Sequence, residues 1–507
     1  RRRVRRFAVL LVMVVLLALS VVALHTLHTL QPRTGAHVQG AGLQTAPPQR
    51  QTAWLHAGSA WAPLQAQQLR AELLQHANDV AFPAATGILV IDGRDGRTLY
   101  SHNAHLPLIP GSVVKLVTAA AALGVLGPND RFTTSIVTDG SREGGLLNGS
   151  LWLVGGGDPE LTSDNLRAGV REVQLGGIQS VSGNIYADGS RYGPDQVASS
   201  WQADDLQYGW AAPASALSID GGSVQFTITP RAGLEADVAV DPPGHRVIAS
   251  VETAGADAEN TLRIDLLPNN SGYEVRGQIP FGAPQKYWRA VPHPTGAAAV
   301  SLLAMLRLAG ITVAGTAAEK TAPAPNSLLW QHKSRTVDLI IKHMLLLSDN
   351  HYGEELLRAV GWKASGLGDL TSSLEAERTF MRNNAIPARG VVMVDGSGLS
   401  GQNRLTAQSI AATLRFLLQQ PLPAAPFALL PRAGIEGTVA VRHLAPETKG
   451  RVFAKDGYIE GASALAGYVL SAHHGPVIFV FLVNEWEHGL DAVWTHENQM
   501  LDLIARQ

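Results

Sequence analysis

A serine and a lysine, three residues apart at the head of an apolar run, constrain this chain more than any other feature. Ser112 and Lys115 stand just before residues 116–123, a run of leucine, valine, threonine and alanine that predicts a buried helix. The Pro110-Gly111 pair marks the start of that helix. Residues three apart share one helical face, so Lys115 can act as base for Ser112 if burial or cationic neighbours suppress its charge. The pair alone is weak evidence, because Ser-x-x-Lys arises by chance in most chains of this length.

Length and composition set the outer limits on fold and function. The chain has 507 residues, more than one hydrophobic core usually serves, so two or three domains are expected. A net charge of -2 argues against a protein that binds nucleic acid by neutralising phosphates. The absence of cysteine excludes disulfides, cysteine-ligated zinc and a thiol nucleophile. The histidines form no convincing metal-ligand pattern, and the adjacent His473 and His474 are expected in a solvated turn.

The start of the chain has the pattern of an export signal. Five arginines precede an uncharged run over residues 7–24, which is typical of a segment whose positive side stays in the cytoplasm. About 18 apolar residues can span a bilayer, and no clean cleavage site follows, so an uncleaved anchor in the inner membrane is favoured over a cleaved signal. Residues 1–30 are therefore predicted to be a signal or anchor and residues 31–53 a linker, with the body exported to the periplasm.

The two ends of the body carry complementary patterns. Helices are predicted over residues 63–76 and 491–505. Strands are predicted, in chain order, at residues 86–91, 97–101, 451–457, 464–470 and 476–483. These elements indicate one antiparallel sheet, closed by both chain ends and flanked by helices, in an α+β fold. Its two parts are residues 54–130 and residues 325–507.

The middle of the chain has a different texture. Between residues 131 and 324, short β-like runs alternate with turns, which predicts a large insertion of one or two β-rich subdomains. Its GGGD sequence at residues 155–158 lacks both the Gly-x-Gly-x-x-Gly pattern and a Walker lysine, so a structural turn is predicted there. After the insertion, the apolar residues 391–394 predict a buried strand.

Ser348, Asp349 and Asn350 interrupt an apolar helical pattern and allow two interpretations. Asp349 or Asn350 could simply cap the second helix. Alternatively, the tripeptide is a second polar finger of a site, where Ser348 relays protons and Asn350 hydrogen-bonds a substrate amide. Glu354 and Glu355, which follow on the second helix, are expected to cap or solvate that helix rather than act in catalysis.

Three short motifs, in sequence order, resemble the motifs of a known family. The motifs are Ser112-x-x-Lys115, Ser348-Asp349-Asn350 and Lys455-x-Gly457. This set resembles that of penicillin-binding proteins and serine β-lactamases. The long separation of the first two motifs resembles the class C low-molecular-mass penicillin-binding proteins, the D-alanyl-D-alanine carboxypeptidase/endopeptidase family. Stretches that look like family signatures are LWLVGGGDP (151–159), SGNIYAD (182–188), SAL (215–217), DGSGL (395–399), AGIEGT (433–438) and ALAGYV (464–469).

The resemblance implies a penicillin-binding transpeptidase-like domain and a serine DD-peptidase of the cell envelope. Ser112 would attack a D-Ala-D-Ala or D-Ala-diaminopimelate bond of peptidoglycan stem peptides, with Lys115 as base, and penicillins would acylate the same serine. Ser348 would pass the proton to the leaving amine, and backbone N–H groups would hold the oxyanion. The residues implied in substrate binding are Asn350, Lys455, Asp456 and Gly457. No metal or organic cofactor is needed.

One position departs from the family pattern. The third motif of the family has Thr or Ser between its lysine and glycine, whereas this chain has Asp456. The family hydroxyl donates a hydrogen bond to the substrate carboxylate, but an ionised aspartate only accepts hydrogen bonds and repels that carboxylate, unless it pairs with Lys455. Three alternatives stay open: a slower carboxypeptidase, an enzyme for substrates with another group at that position, or a non-catalytic peptidoglycan-binding protein.

Overall fold

The structure is a computed structural model that describes residues 58–77, 85–324, 326–486 and 489–507. The predicted membrane anchor and the predicted linker lie outside the described residues. Within those ranges, no helix combines the length and the apolar character needed to cross a membrane.

The helices and strands alternate along the whole described chain. The helices are α1 (Pro63–Ala77), α2 (Val114–Val125), α3 (Ser163–Leu175), α4 (Pro294–Leu308), α5 (Val337–Leu347), α6 (Asn350–Ser365), α7 (Leu370–Asn383), α8 (Ala407–Leu418) and α9 (Leu490–Arg506). The first eight strands are β1 (Thr86–Asp92), β2 (Thr98–His102), β3 (Thr133–Thr138), β4 (Ser141–Glu143), β5 (Leu146–Asn148), β6 (Leu151–Val154), β7 (Ser180–Val181) and β8 (Ile185–Asp188). The next nine are β9 (Ser223–Thr229), β10 (Asp237–Asp241), β11 (Val247–Ala254), β12 (Arg263–Leu266), β13 (Tyr273–Pro280), β14 (Gln285–Ala290), β15 (Thr312–Val313), β16 (Ala317–Glu319) and β17 (Ser327–Lys333). The last three are β18 (Val452–Ile459), β19 (Ala462–Ser471) and β20 (Gly475–Asn484).

The sheet predicted from the two chain ends is confirmed. Its strands lie in the order β18-β19-β20-β1-β2, and every neighbouring pair is antiparallel. Helices α2 and α8 cover one face together with α5, α6 and α7, while α1 and α9 cover the other face. Because helices cover both faces, β19 and β20 are apolar along nearly their whole length rather than alternating.

β18 lies at the edge of this sheet and presents different residues to its two sides. Side chains alternate along a strand, so Phe453 joins the core that contains α2, whereas Val452 and Ala454 join the core that contains α9. By the same alternation, Lys455 lies on the same face of the strand as Phe453, and Asp456 lies on the face that α9 covers. The third motif therefore stands at the sheet edge, between the two halves of the protein core.

The predicted insertion, extended by β17, contains four small sheets, two larger apolar clusters and a small third cluster of Ala198, Trp201 and Ala211. Two three-stranded sheets, β10-β9-β14 and β11-β13-β12, enclose one cluster. A four-stranded sheet and a five-stranded sheet, β15-β7-β5-β4 and β16-β8-β6-β3-β17, pack with α3 and α4 around the other. The GGGD segment is irregular backbone, and the turn predicted there begins only at Pro159; a Cβ at Gly155 would lie 2.2 Å from the Ala216 carbonyl oxygen. The glycine is needed because another backbone segment passes that close.

Two local predictions are wrong. Residues 391–394 form no strand, only a single bridge between Val392 and Arg404, because the Asn403 side chain rather than a strand accepts the N–H of Val394. The segment instead leads into an irregular loop. His474 is not solvated: its side chain is buried and stacks on Trp61 with ring centroids 4.0 Å apart. Residues 58–61 lie across the β19–β20 turn, a tertiary contact that local sequence does not reveal.

Candidate active site

The first motif forms one compact hydrogen-bonded group. A 3₁₀ turn, Gly111–Val113, carries Ser112 and runs directly into α2, so the predicted shared face is confirmed. Lys115 is fully buried, and its Nζ donates to Ser112 Oγ at 3.0 Å, to Asn350 Oδ1 at 2.6 Å and to the Ser397 carbonyl oxygen at 2.6 Å. All three acceptors are uncharged, so no carboxylate directly neutralises this lysine.

This environment changes the protonation of Lys115. Burial is the largest effect, and with the nearby charge of Lys455 it lowers the pKa of Lys115 to about 7. The carboxylates of Asp395, Asp349 and Glu354 act in the opposite direction, but they are too weak to restore the usual value. A lysine with a pKa near 7 has a lone pair available at neutral pH and can accept a proton from the serine hydroxyl that it contacts.

The junction between α5 and α6 supplies the second motif. Ser348 ends α5 in the left-handed conformation (φ 58°, ψ 34°), and Asp349 caps α6 by accepting from Tyr352 N at 3.2 Å. Asn350 opens α6 and uses both ends of its amide: Oδ1 accepts from Lys115, and Nδ2 donates to the Trp210 carbonyl oxygen at 2.9 Å. The predicted cap is confirmed for Asp349, whereas the proton relay by Ser348 and the substrate contact of Asn350 stay predictions.

The third motif touches the turn that carries Ser112. A Cβ built on Gly457 would lie 2.2 Å from the Pro110 carbonyl oxygen and 2.9 Å from Ser112 N. No side chain fits in that space, so β18 and the serine turn are in direct backbone contact. The close approach places Lys455 and Asp456, the two residues before Gly457, beside the site.

Lys455 and Asp456 form an ion pair at the sheet edge. Lys455 is fully buried, and its Nζ donates at 2.7 Å both to Asp456 Oδ1 and to the Asp456 carbonyl oxygen. The Thr438 hydroxyl also donates to Asp456 Oδ1. Burial by itself would raise the pKa of Asp456, but the Lys455 charge and the two hydrogen bonds outweigh burial and lower it. Asp456 is therefore ionised at neutral pH.

Glu354 contradicts the expectation of a capping or solvated residue. It is buried, and its Oε1 accepts from Gly396 N at 3.0 Å and Ser397 N at 2.8 Å. Ser397 is the residue whose carbonyl oxygen accepts from Lys115. Burial, followed by the charge of Asp395, raises the pKa of Glu354 to about 7. Its spacing of four from Asn350 placed it on the helix face of the site, a signal that the sequence did contain.

Two further carboxyl groups organise the surroundings. Asp395 accepts from Gly398 N at 2.8 Å, from Asn403 Nδ2 at 2.8 Å and from Trp201 Nε1 at 3.0 Å, which ties the loop after residue 394 to the inserted region. Glu355 is also buried, again contrary to expectation, and accepts from Ser215 N at 2.8 Å. Burial raises its pKa to about 8. The insertion is therefore held to the site by buried hydrogen bonds.

The site has a serine hydroxyl that is hydrogen-bonded to a buried lysine with a lowered pKa, on an α+β framework. This arrangement defines the class of serine acyl hydrolases with a lysine base. The D-Ala-D-Ala carboxypeptidase 3 (S13) family matches residues 69–507. The D-alanyl-D-alanine carboxypeptidase of Actinomadura sp. is 32% identical over 406 residues, 76% of this chain and 75% of that protein. D-alanyl-D-alanine carboxypeptidase DacB of Haemophilus influenzae is 25% identical over 420 residues, 80% of this chain and 86% of that protein.

The solved structures agree on the fold. The crystal structure of penicillin binding protein 4 from Haemophilus influenzae superposes with a TM-score of 0.74 at 24% identity, covering 86% of this chain and 99% of that chain. The chain belongs to the D-Ala-D-Ala carboxypeptidase 3 (S13) family. It is a serine hydrolase of the D-Ala-D-Ala carboxypeptidase type.

Proposed function

We propose that Ser112 is the nucleophile of this carboxypeptidase and that Lys115 is its base. The observation that carries the proposal is the 3.0 Å contact between Ser112 Oγ and the fully buried Nζ of Lys115. As Oγ attacks the carbonyl carbon of the penultimate D-Ala, its proton passes to neutral Nζ. The C–N bond then breaks, Ser348 delivers a proton to the leaving amine, and water hydrolyses the ester on Ser112.

The oxyanion of the tetrahedral intermediate needs donors that are already in position. We assign this role to the backbone N–H groups of Ser112 and Tyr458. A Cβ on Gly111 would lie 2.8 Å from Tyr458 N, and a Cβ on Gly457 would lie 2.9 Å from Ser112 N, so the two backbones are close. Loss of one such donor typically lowers a rate by about 10²- to 10³-fold.

The remaining motif residues bind and orient the peptide. The Asn350 amide is hydrogen-bonded at both ends, since Oδ1 accepts from Lys115 and Nδ2 donates to the Trp210 carbonyl oxygen. Its position lets it guide the peptide past the nucleophile. On the opposite side, Lys455, Asp456 and Gly457 line the sheet edge where the leaving residue would lie. This arrangement supports substrate binding by the same four residues that the sequence indicated.

The direct test is covalent labelling with a fluorescent penicillin, run beside release of D-alanine from a pentapeptide. Ser112→Ala should abolish both signals, because it removes the hydroxyl that is proposed to form the acyl-enzyme. Ser141→Ala is the matched control, since Ser141 is exposed on β4 of the inserted region, and it should leave both signals unchanged. Labelling that persists in Ser112→Ala would overturn the assignment. Labelling without D-alanine release by the wild type would favour the peptidoglycan-binding alternative.

We also propose an exported protein tethered by residues 7–24, with residues 31–53 as spacer and residues 131–324 as the insertion in a body formed by residues 54–130 and 325–507. The charge and hydropathy of the first segment support the tether. Cell fractionation tests it: the full chain should sediment with membranes, and a chain that begins at residue 54 and carries a cleavable signal should not. Equal distribution of the two would contradict the tether.

A further inference from the structure

The sheet edge beside Ser112 carries four charged residues and one hydroxyl group, which we call the β18 corner: Lys455, Asp456, Arg442, Glu497 and Thr438. Lys455 is paired with Asp456 at 2.7 Å, and Arg442 is paired with Glu497 at 2.6 Å. Arg442 also lies over the Trp494 ring, 4.8 Å from its centroid. The two cations and two carboxylates cancel, so the corner as a whole is neutral.

This neutrality matters for the leaving residue. With a hydroxyl residue in the position of Asp456, the same corner would carry one net positive charge, which would attract a carboxylate. With Asp456 ionised, a carboxylate on the leaving residue gains no net attraction and meets a like charge at close range. The corner is therefore built for a leaving residue that does not bring a negative charge.

Asp456 also offers an unused acceptor. Both donors within reach, Lys455 Nζ and the Thr438 hydroxyl, bind Oδ1. Among the described residues, none donates a hydrogen bond to Oδ2 of Asp456, and 31% of the side chain is exposed to solvent. Asp456 directly precedes Gly457, whose backbone abuts Ser112 N, so this free acceptor belongs to the strand residue beside the serine turn. A ligand group that meets it should be neutral and should carry an N–H donor.

We propose that the preferred leaving residue is a D-amino acid whose α-carboxyl is a primary carboxamide. The carboxamide N–H donates to Asp456 Oδ2, which a carboxylate cannot do. The reaction is otherwise that proposed above: the peptide C–N bond breaks, Ser112 takes the acyl group, and the D-amino acid amide leaves as a protonated or neutral amine. The inference rests on the proposed function and specifies its substrate class.

The test compares two substrates that differ only at this group, an acyl-D-Ala-D-Ala peptide and its C-terminal carboxamide. The wild type should show a kcat/KM for the amide at least about tenfold above that for the acid, since one unit charge at close range is worth about that much. Asp456→Thr and Asp456→Asn should both raise kcat/KM for the acid and invert or abolish the preference. Glu460→Gln, which removes an exposed charge from the turn just after the same strand, is the matched control and should leave the ratio unchanged.

The outcomes separate this inference from the proposed function. Preference for the acid by the wild type, with Ser112 still labelled by penicillin, overturns the carboxamide inference and leaves the nucleophile assignment intact. An unchanged ratio in Asp456→Thr also overturns it. If neither substrate is cleaved and penicillin does not label Ser112, the proposed function fails and the inference fails with it. A cross-linked dimer with an amidated leaving residue, assayed beside the short peptide, shows which source of the carboxamide is cleaved faster.

Discussion

The two lysines on either side of Ser112 are both completely buried, yet their partners differ in kind. Lys115 is surrounded by a hydroxyl, an amide oxygen and a backbone carbonyl oxygen, none of which carries a charge. Lys455 is bonded to the carboxylate of Asp456. An isolated buried ammonium ion is costly, and proteins relieve the cost either by deprotonation or by pairing. Lys115 follows the first route and Lys455 the second.

This contrast explains how one site can hold a proposed base on α2 and a fixed charge on β18. Burial lowers the pKa of Lys115 to about 7, and the charge of Lys455 contributes in the same direction. The positive charge of Lys455 therefore helps to keep Lys115 deprotonated. Lys115 and Lys455 therefore play different parts although their side chains are identical. The protonation of each depends on its neighbouring acceptors rather than on the side chain itself.

The largest test removes the base. Lys115→Met keeps an unbranched apolar side chain in the buried position but cannot accept a proton. Acylation of Ser112 by penicillin should fall by about 10³-fold, the usual scale for loss of a positioned general base. Stopped-flow or quench measurement of the labelling rate checks this prediction.

Lys333→Met serves as control for this change, because Lys333 is exposed at the end of β17. It should acylate at the wild-type rate. If Lys115→Met retains about a tenth or more of the wild-type acylation rate, Lys115 is not the base. The proposed difference in role between Lys115 and Lys455 would then be wrong.

A smaller effect on the pKa of Lys115 is expected from changes at Glu354. The negative charge of Glu354 raises the pKa of Lys115, so Glu354→Gln should lower it and move the rise of acylation rate to lower pH, by a few tenths of a unit. Glu354→Ala instead leaves the N–H groups of Gly396 and Ser397 without their acceptor, at a cost of about 1–3 kcal/mol in unfolding free energy.

The pair of variants separates charge from geometry. Glu354→Gln should shift the pH profile with little change in the denaturation midpoint, and Glu354→Ala should lower both stability and rate. A pH profile that is identical in Glu354→Gln and the wild type would mean that Glu354 supports the loop only and does not influence the protonation of Lys115.

Local spacing in the sequence was enough to predict part of the fold and part of the site. Ser112 and Lys115 are in one turn and contact each other, as predicted from their separation of three. Strongly apolar runs near both chain ends identified the sheet, because strands buried on both faces need such runs. The order of the three motifs then identified the family, which the comparisons show.

Contacts between distant segments could not be predicted. Two adjacent glutamates on a helix usually face solvent, and only the packing of the loop after residue 394 and of the insertion reveals why Glu354 and Glu355 are buried. The pairing of Asp456 with Lys455 was one of several options in the sequence. The Thr438 hydroxyl that completes this group comes from a separate turn, which no local pattern connects to β18.

The pH dependence of Ser112 acylation by penicillin in the wild-type protein reports the protonation of Lys115. The base is active when deprotonated, so the rate should rise with pH, pass its midpoint near pH 7 and level off above it, because the pKa of Lys115 is lowered to about 7. A rate that does not change between about pH 5 and about pH 9, or one that is still rising at about pH 9, would show that Lys115 is not held near neutrality and would contradict the account.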